Sequence, residues 1–552
     1  MPLPDNFLER LHEHDASLWS DDPAEQAAIA NRLGWLDVHR EMLNRLDELN
    51  TFAAWVREND FRHAVLLGMG GSSLAPEVIQ GMFGSRPGYP ELIVLDTTDP
   101  ETILRVETRI QFVSTLFIVS SKSGTTIETA SLQRYFSERT QDITGDTGAL
   151  YNFVAVTDPD TILYHLAEQQ GFHHVFVNPP DIGGRYSALS MFGLVPAAAI
   201  GMDVQQFLEA ADRTDHEEAA VLGERLGDLA LASRDKVTFV AEPGREGLGA
   251  WAEQLIAEST GKRGKGIVPV DLEPIGAPAL YGDDRVFVHL KGGEHGELHA
   301  PVAALGDAGH PVLQGSIADA HDLGREFLRW EIATAAAGAV LGINPFDEPN
   351  VSESKENTRQ VLEEFVRAGR LPQPQPALED DGLTLYIDEH TRGLLQGAQA
   401  SSLEGVVGAF LGSAQPGQYV ATMAYLRRSE EHDRLFERLR TVIRNATRAA
   451  TTVGYGPRFL HSTGQLHKGG PDKGVFLQVT GEDATDVDIP GELAYGFGTL
   501  KGAQAAGDLQ ALQSRKRPVV RVHLADDVTD NLRRLVDGIE EQLSSHAGTA
   551  RE

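Results

Sequence analysis

The chain has 552 residues, no cysteine and a formal net charge of −33. That length allows two to four domains, and the charge disfavours a broad nucleic-acid or anionic-membrane surface. The missing cysteine excludes disulfides, thiolate metal ligands and cysteine nucleophiles, and fits a cytoplasmic protein. Residues 1–60 read as helices, with Asp22 and Pro23 as a cap and first-turn proline. The opening residues have neither a basic flank nor a long apolar run, so no signal peptide is expected. Ala64–Leu67 reads as a short strand running into the glycine-rich turn Gly68–Pro76. Ser73 breaks the dinucleotide spacing G-x-G-x-x-G there, but glycines at a strand–helix junction still allow backbone approach to a phosphate.

Leu92–Leu95 is the next strand, and Thr115–Val119 is a buried one. The latter ends in Ser120-Ser121-Lys122-Ser123-Gly124-Thr125-Thr126, followed by a helical pattern. Free N–H groups and the positive dipole end of a helix, with added hydroxyl donors and a permissive glycine, make an anion site suited to phosphate. The plainer alternative is a hydroxyl-rich loop that only caps the helix. Strands at Phe153–Val156 and Val175–Val177 complete a βα series, the pattern of a parallel three-layer α/β domain. Arg185, behind Gly183 and Gly184 near a strand end, can face an anion or sit in a surface turn.

Residues 202–235 read as a helical connection, and a second βα series opens at Val237–Ala241. The helix Trp251–Thr260 carries Glu253, Gln254 and Glu258. Glu258 lies at the end where the dipole raises proton affinity, which suits a general base, although an exposed glutamate reads the same. Strands follow at Val286–Leu290 and Val312–Gln314, then a helix at Phe327–Leu341 that is too short to span a bilayer. Residues 371–382 read as a linker. Beyond it come strands at Thr384–Ile387, Tyr419–Tyr425, Val475–Thr480 and Val519–Leu524, a charged helix near Glu430–Thr452, and a polar loop holding His461. No Zn or Mg ligand cluster is legible, so neither metal nor cofactor is expected.

The stretches GMGGSSLAPEV, SSKSGTTIET, DIGGRYSALS, AESTGK and NPFDEPNVSESK span residues 68–355 in order. With them the chain resembles the glucose-6-phosphate isomerase (phosphoglucose isomerase) family. It looks closest to the isomerase portion of bifunctional transaldolase/glucose-6-phosphate isomerase proteins, with no transaldolase-like part expected before Met1. The resemblance implies two sugar-isomerase (SIS) domains with parallel sheets, and metal-free interconversion of glucose 6-phosphate and fructose 6-phosphate through a cis-enediol. It implies Glu258 as base, Arg185 as enediolate stabiliser, and Lys355 with a histidine for ring opening. It implies phosphate contacts from Ser72, Ser121, Ser123 and Thr126 and from the backbone of Lys122 and Gly184. Gly71, Thr125, Gln254 and Glu348 complete the expected substrate contacts.

Two departures stand out. Position 348 is glutamate where the family has glutamine, which removes a donor and adds negative charge. The histidines between Glu258 and Lys355 (His289, His295, His299, His310, His321) lack the family's surroundings, whereas His461 has them, in LHSTGQ, beyond Lys355. The second domain is therefore read as rearranged: residues 1–210 hold the first SIS domain, 211–370 begin the second, and 383–552 complete its sheet. The competing readings are a non-catalytic sugar-phosphate-binding SIS protein and an isomerase that also accepts mannose 6-phosphate. The expected partner is a small sugar phosphate, with a homodimer as the family habit and neither nucleic acid nor membrane.

Overall fold

The computed structural model describes residues 2–145, 150–293, 296–395, 402–492 and 494–549. Three sheets organise them. The first contains β1 (His63–Gly68), β2 (Glu91–Leu95), β3 (Thr115–Ser120), β4 (Phe153–Thr157) and β5 (His174–Val177) in the order β2-β1-β3-β4-β5. Every pairing in it is parallel. β1 and β3 are apolar without alternation, because helices cover both faces of the sheet. Chain order reverses between β1 and β3. The loops after these two strands therefore open onto one crevice at the carboxyl rim, where ligands lodge in such sheets.

The second sheet contains β6 (Lys236–Ala241), β7 (Val268–Val270), β8 (Arg285–Lys291) and β9 (Val312–Ser316) in the order β7-β6-β8-β9, again all parallel. The helix Gly247–Thr260 follows β6 and runs back along the sheet, so its two ends lie at opposite rims.

The third sheet corrects the sequence reading. The strands beyond the linker were expected to complete the second sheet, but they pair among themselves. They are β10 (Leu378–Asp380), β11 (Leu383–Ile387), β12 (Tyr419–Tyr425), β13 (Ala450–Tyr455), β14 (Gly474–Gly481) and β15 (Val519–Leu524), in the order β10-β11-β15-β14-β12-β13. β12 to β15 are parallel, and β10 and β11 add an antiparallel edge. β10 lies within the stretch read as linker, and the charged helix stops at Thr447. Arg448 there takes a left-handed φ of 62°, and the β-branched run after it becomes β13.

The second and third sheets meet through packing. Ala257, Val268 and Val270 share a core with Tyr419, Ala421, Ala450 and Phe459. The buried Arg285–Glu273 pair sits at this seam, and Glu273 accepts from the backbone N–H of Thr451 at 3.0 Å. Among the described residues no helix is long and apolar enough to cross a membrane.

Candidate functional site

The helix Ile127–Thr144 rises directly from the loop after β3. Thr126 is its N-cap residue, yet its side chain makes no capping hydrogen bond, so the first-turn N–H groups stay available to an anion. Gly124 holds φ +67°, and a Cβ there would lie 2.6 Å from the backbone nitrogen of Leu163. Only glycine lets the loop fold this tightly. Within the loop, Ser121 Oγ accepts from the Gly124 N–H at 3.1 Å, and the Ser123 and Thr125 hydroxyls meet at 2.8 Å. The Lys122 ammonium is engaged by Asp158 and by the Pro180 carbonyl, so it is turned to neighbouring protein groups.

The loop after β1 closes the other side. A Cβ on Gly71 would stand 1.9 Å from the Gly184 carbonyl oxygen, so any side chain would drive the two loops apart. Ser72 is buried at this contact. The turn Gly184–Tyr186 then delivers Arg185, which is 3 % exposed, into the interior. Arg185 Nε donates to Ser259 Oγ at 2.8 Å, and Nη2 donates to the carbonyls of Pro345 (2.7 Å) and Asp347 (2.9 Å). Nη1 lies 3.1 Å from Glu348 Oε2 and 3.3 Å from Glu258 Oε1.

Glu258 lies near the end of the helix Gly247–Thr260 and is itself buried. Burial pushes its carboxyl above the usual carboxylate range. Arg185 pulls the other way, and the Glu348 charge pushes it up further. Lys262 locks this helix end to the Asn344–Glu348 segment, donating to Asn344 O at 2.7 Å and Asp347 Oδ1 at 2.6 Å. Its burial lowers the ammonium pKa to about 8.

His461 comes from the segment after β13, on the far side of the linker, and its backbone is joined to Glu258 in the same chain through Gln254. Gln254 Nε2 donates to Glu258 Oε2 at 3.1 Å and to the His461 carbonyl at 2.8 Å. The His461 Nε2 lies 3.0 Å from Glu128 Oε1, which also accepts from Gln504 Nε2 at 2.7 Å. Burial alone would raise the Glu128 carboxyl, but His461, with Lys355 adding, holds it below the usual range. Arg458 fastens the turn before His461 to the first sheet's periphery, at 2.6 Å from both Asp96 and Glu77.

A cavity of ~680 Å³ opens beside these groups, lined in part by Thr125, Glu128, Lys355, His461 and Gln504. Lys355 is exposed on the helix Pro349–Ala368. The expected site residues therefore form two linked groups. One is the buried cluster of Arg185, Glu258 and Gln254 with the half-buried Glu348 at its edge, and the other is the cavity wall with Thr125, Lys355 and His461. Glu128 and Gln504 had no role in the sequence reading. Glu128 stands in the quoted stretch SSKSGTTIET, where it passes for an ordinary first-turn acid, and Gln504 carries no sequence signal.

Of the other histidines, His289 and His299 lie beside Glu242, while His310 and His321 pack against aromatic rings. His295 lies outside the described residues.

The phosphoglucose isomerase family profile matches residues 35–226. A glucose-6-phosphate isomerase of Rubrobacter xylanophilus is 32 % identical over 373 residues, covering 57 % of this chain and 84 % of that protein. The chain belongs to the phosphoglucose isomerase family. Another relative, a glucose-6-phosphate isomerase of Campylobacter jejuni, is 27 % identical over 410 residues, covering 64 % of this chain and 98 % of its own. Among solved structures, a hypothetical protein of Thermus thermophilus superposes with TM-score 0.54 at 25 % identity, over 65 % of this chain and 96 % of that one. A glucose-6-phosphate isomerase of Chlamydia trachomatis shares the fold, with TM-score 0.51 at 24 % identity over 64 % of this chain and 78 % of its own. The parallel α/β architecture of the isomerase family is thus the one this chain adopts.

Proposed function

We propose that this isomerase interconverts glucose 6-phosphate and fructose 6-phosphate by moving a proton between C2 and C1 of the open-chain sugar. The observation that carries the proposal is the buried Glu258–Arg185 pair, at 3.3 Å, beside the β1 and β3 crevice. An aldose–ketose isomerase needs one base that takes a proton from one carbon and returns it to the next, with a cation near the oxygens that become negative. Glu258 is the base in this reading. Its raised proton affinity lets it hold the proton long enough to return it. Arg185 faces the enediolate.

Ser121, Ser123, Thr125 and Thr126, with the backbone of Lys122, Gly71, Ser72 and Gly184, anchor the phosphate. That remote binding energy fixes the reacting carbons against Glu258. Gln254 holds base and histidine in register. His461, oriented by Glu128, and Lys355 serve ring opening, where an imidazole can move protons between sugar oxygens near neutral pH.

The test is a coupled assay starting from fructose 6-phosphate, run in parallel with mannose 6-phosphate and with a chelator. Turnover of fructose 6-phosphate that survives the chelator supports the reading. A protein that binds the sugar phosphate without turnover is a sensor instead. Activity on mannose 6-phosphate at a similar rate would widen the substrate class.

A further inference from the structure

The second sheet reverses in the same way as the first. β6 leads to β7 on one side and later to β8 on the other, so the carboxyl ends of β6 and β8 flank its switch point. Glu242 follows β6 directly, His289 lies near the end of β8, and His299 opens the helix His299–Asp307. Oε1 of Glu242 is 3.1 Å from His289 Nε2 and 3.2 Å from His299 Nδ1. The three donor atoms lie within 4.8 Å of one another. The sequence reading found no metal-ligand cluster here. The donors are far apart in the chain, and only the parallel pairing of β6 with β8 brings them together.

A hydrogen-bond network explains part of the cluster. Glu242 Oε1 accepts from the Leu298 N–H and pairs with His289, both at 3.1 Å. It holds His299 less well: its buried Nδ1 lies 3.2 Å from the same carboxylate oxygen without the geometry of a hydrogen bond. Buried polar atoms are seldom left in that state. The two separations from Glu242 Oε1, 3.1 and 3.2 Å, are close to the edge of a metal tetrahedron, about 3.4 Å when zinc–nitrogen bonds are about 2.0–2.1 Å. Two imidazoles and one carboxylate form a donor set that zinc accepts with a fourth position open. Gly296 adds a fit of its own: a Cβ there would stand 2.3 Å from the Glu242 carboxylate, so backbone packs directly on the acid.

We propose that Glu242, His289 and His299 bind one divalent cation of the zinc class, tying the start of the helix His299–Asp307 to the ends of β6 and β8. The site is structural. The helix Gly247–Thr260 separates it from Glu258 by most of about 21 Å, the length of 14 residues at the helical rise. The proposed isomerisation does not pass through the metal.

The experiment uses the untagged full chain, stripped with a chelator and dialysed, then titrated with Zn²⁺ alone and separately with Mg²⁺. One Zn²⁺ per chain and a raised Tm are expected, with no such rise from Mg²⁺. Co²⁺ should give the intense visible absorption of tetrahedral coordination. His299→Ala and His289→Gln should each weaken Zn²⁺ binding by about 100-fold or more, at least the cost of losing an outer partner of a metal ligand. His299 is only half-buried, so His299→Ala keeps the fold, and its Tm without metal checks this. Absence of saturable one-to-one binding overturns the proposal. So does Zn²⁺ affinity that is unchanged in both variants, or an equal response to Mg²⁺.

Discussion

The first and second sheets turn the same topological corner and fill it with opposite chemistry. Between β1 and β3 the crevice is built from hydroxyls, backbone N–H groups and a helix start, all of which favour an anion. Between β6 and β8 it is built from a carboxylate and two imidazoles, which favour a cation. The sheet supplies the position in both cases, and the residues at the strand ends and in the loops that follow decide what sits there. The pairing also explains how one helix serves both places. Gly247–Thr260 starts near the second crevice and carries Glu258 to the side where the first crevice opens.

The comparison breaks most sharply at Glu258. Glu258→Gln keeps the side chain's size and removes the base, so kcat should fall by about 10²–10⁴-fold or more while a phosphorylated inhibitor still binds. A variant with near-normal kcat would leave the first crevice as a binding site only. Next in size is His461→Ala. It should slow turnover of the cyclic sugar by about 10²-fold, yet spare C2-proton exchange measured with open-chain substrate. Equal losses in both measurements would move His461 from ring opening to positioning.

The anion side is sharpened by Ser123→Ala and Thr126→Ala. Each removes one hydroxyl from the phosphate contacts, and a hydrogen bond to a charged group contributes about 1.5–3 kcal/mol. Inhibitor affinity should drop by about 10–100-fold, the same energy expressed as a ratio. No change would reduce the loop to a helix cap.

A smaller effect concerns pH. Glu258 must be ionised to act, and its raised pKa places the acid limb of kcat/KM above the ordinary carboxylate range. Glu348 contributes to that rise by like charge, so Glu348→Gln should move the limb to lower pH. A limb that stays in place would show that burial alone sets it. The smallest expected effect is on turnover after chelation. Removing a cation from the second crevice should lower Tm and leave kcat, measured well below unfolding, unchanged.

Much of this molecule is legible in its sequence, for a physical reason. β1, β3 and β4 are continuous apolar runs ending in glycine or hydroxyl turns, which few other structures tolerate. The phosphate loop, Arg185 and Glu258 stand at such turns and ends, so their placement follows from the strands. β13 was hidden because Ala450–Tyr455 adjoins a strongly amphipathic helix, and only the left-handed Arg448 separates them. β7 has three residues with a proline in the middle, too short for a periodicity to register. The links that assemble the site were invisible for another reason. Gln254 to His461 and Gln504 to Glu128 join residues hundreds of positions apart, as do the ligands of the second crevice over shorter spans. The independent third sheet was missed for the same cause: strand partners are a tertiary property, and a linker does not reveal which sheet the following strands join.

The donors of Arg185 hold a last consequence. Its Nε and both Nη2 hydrogens are engaged by Ser259, Pro345 and Asp347, and Nη1 faces Glu258 and Glu348. The guanidinium cannot swing toward a substrate without breaking buried bonds, so it acts from a fixed place. In the proposed reaction the proton that reaches Glu258 neutralises one of its two counter-ions at the moment the sugar becomes anionic. The total charge around Arg185 is the same before and after the transfer. A negative charge has shifted by the length of one proton jump, and the surrounding dipoles, already oriented to a cation with an anion beside it, have little to rearrange.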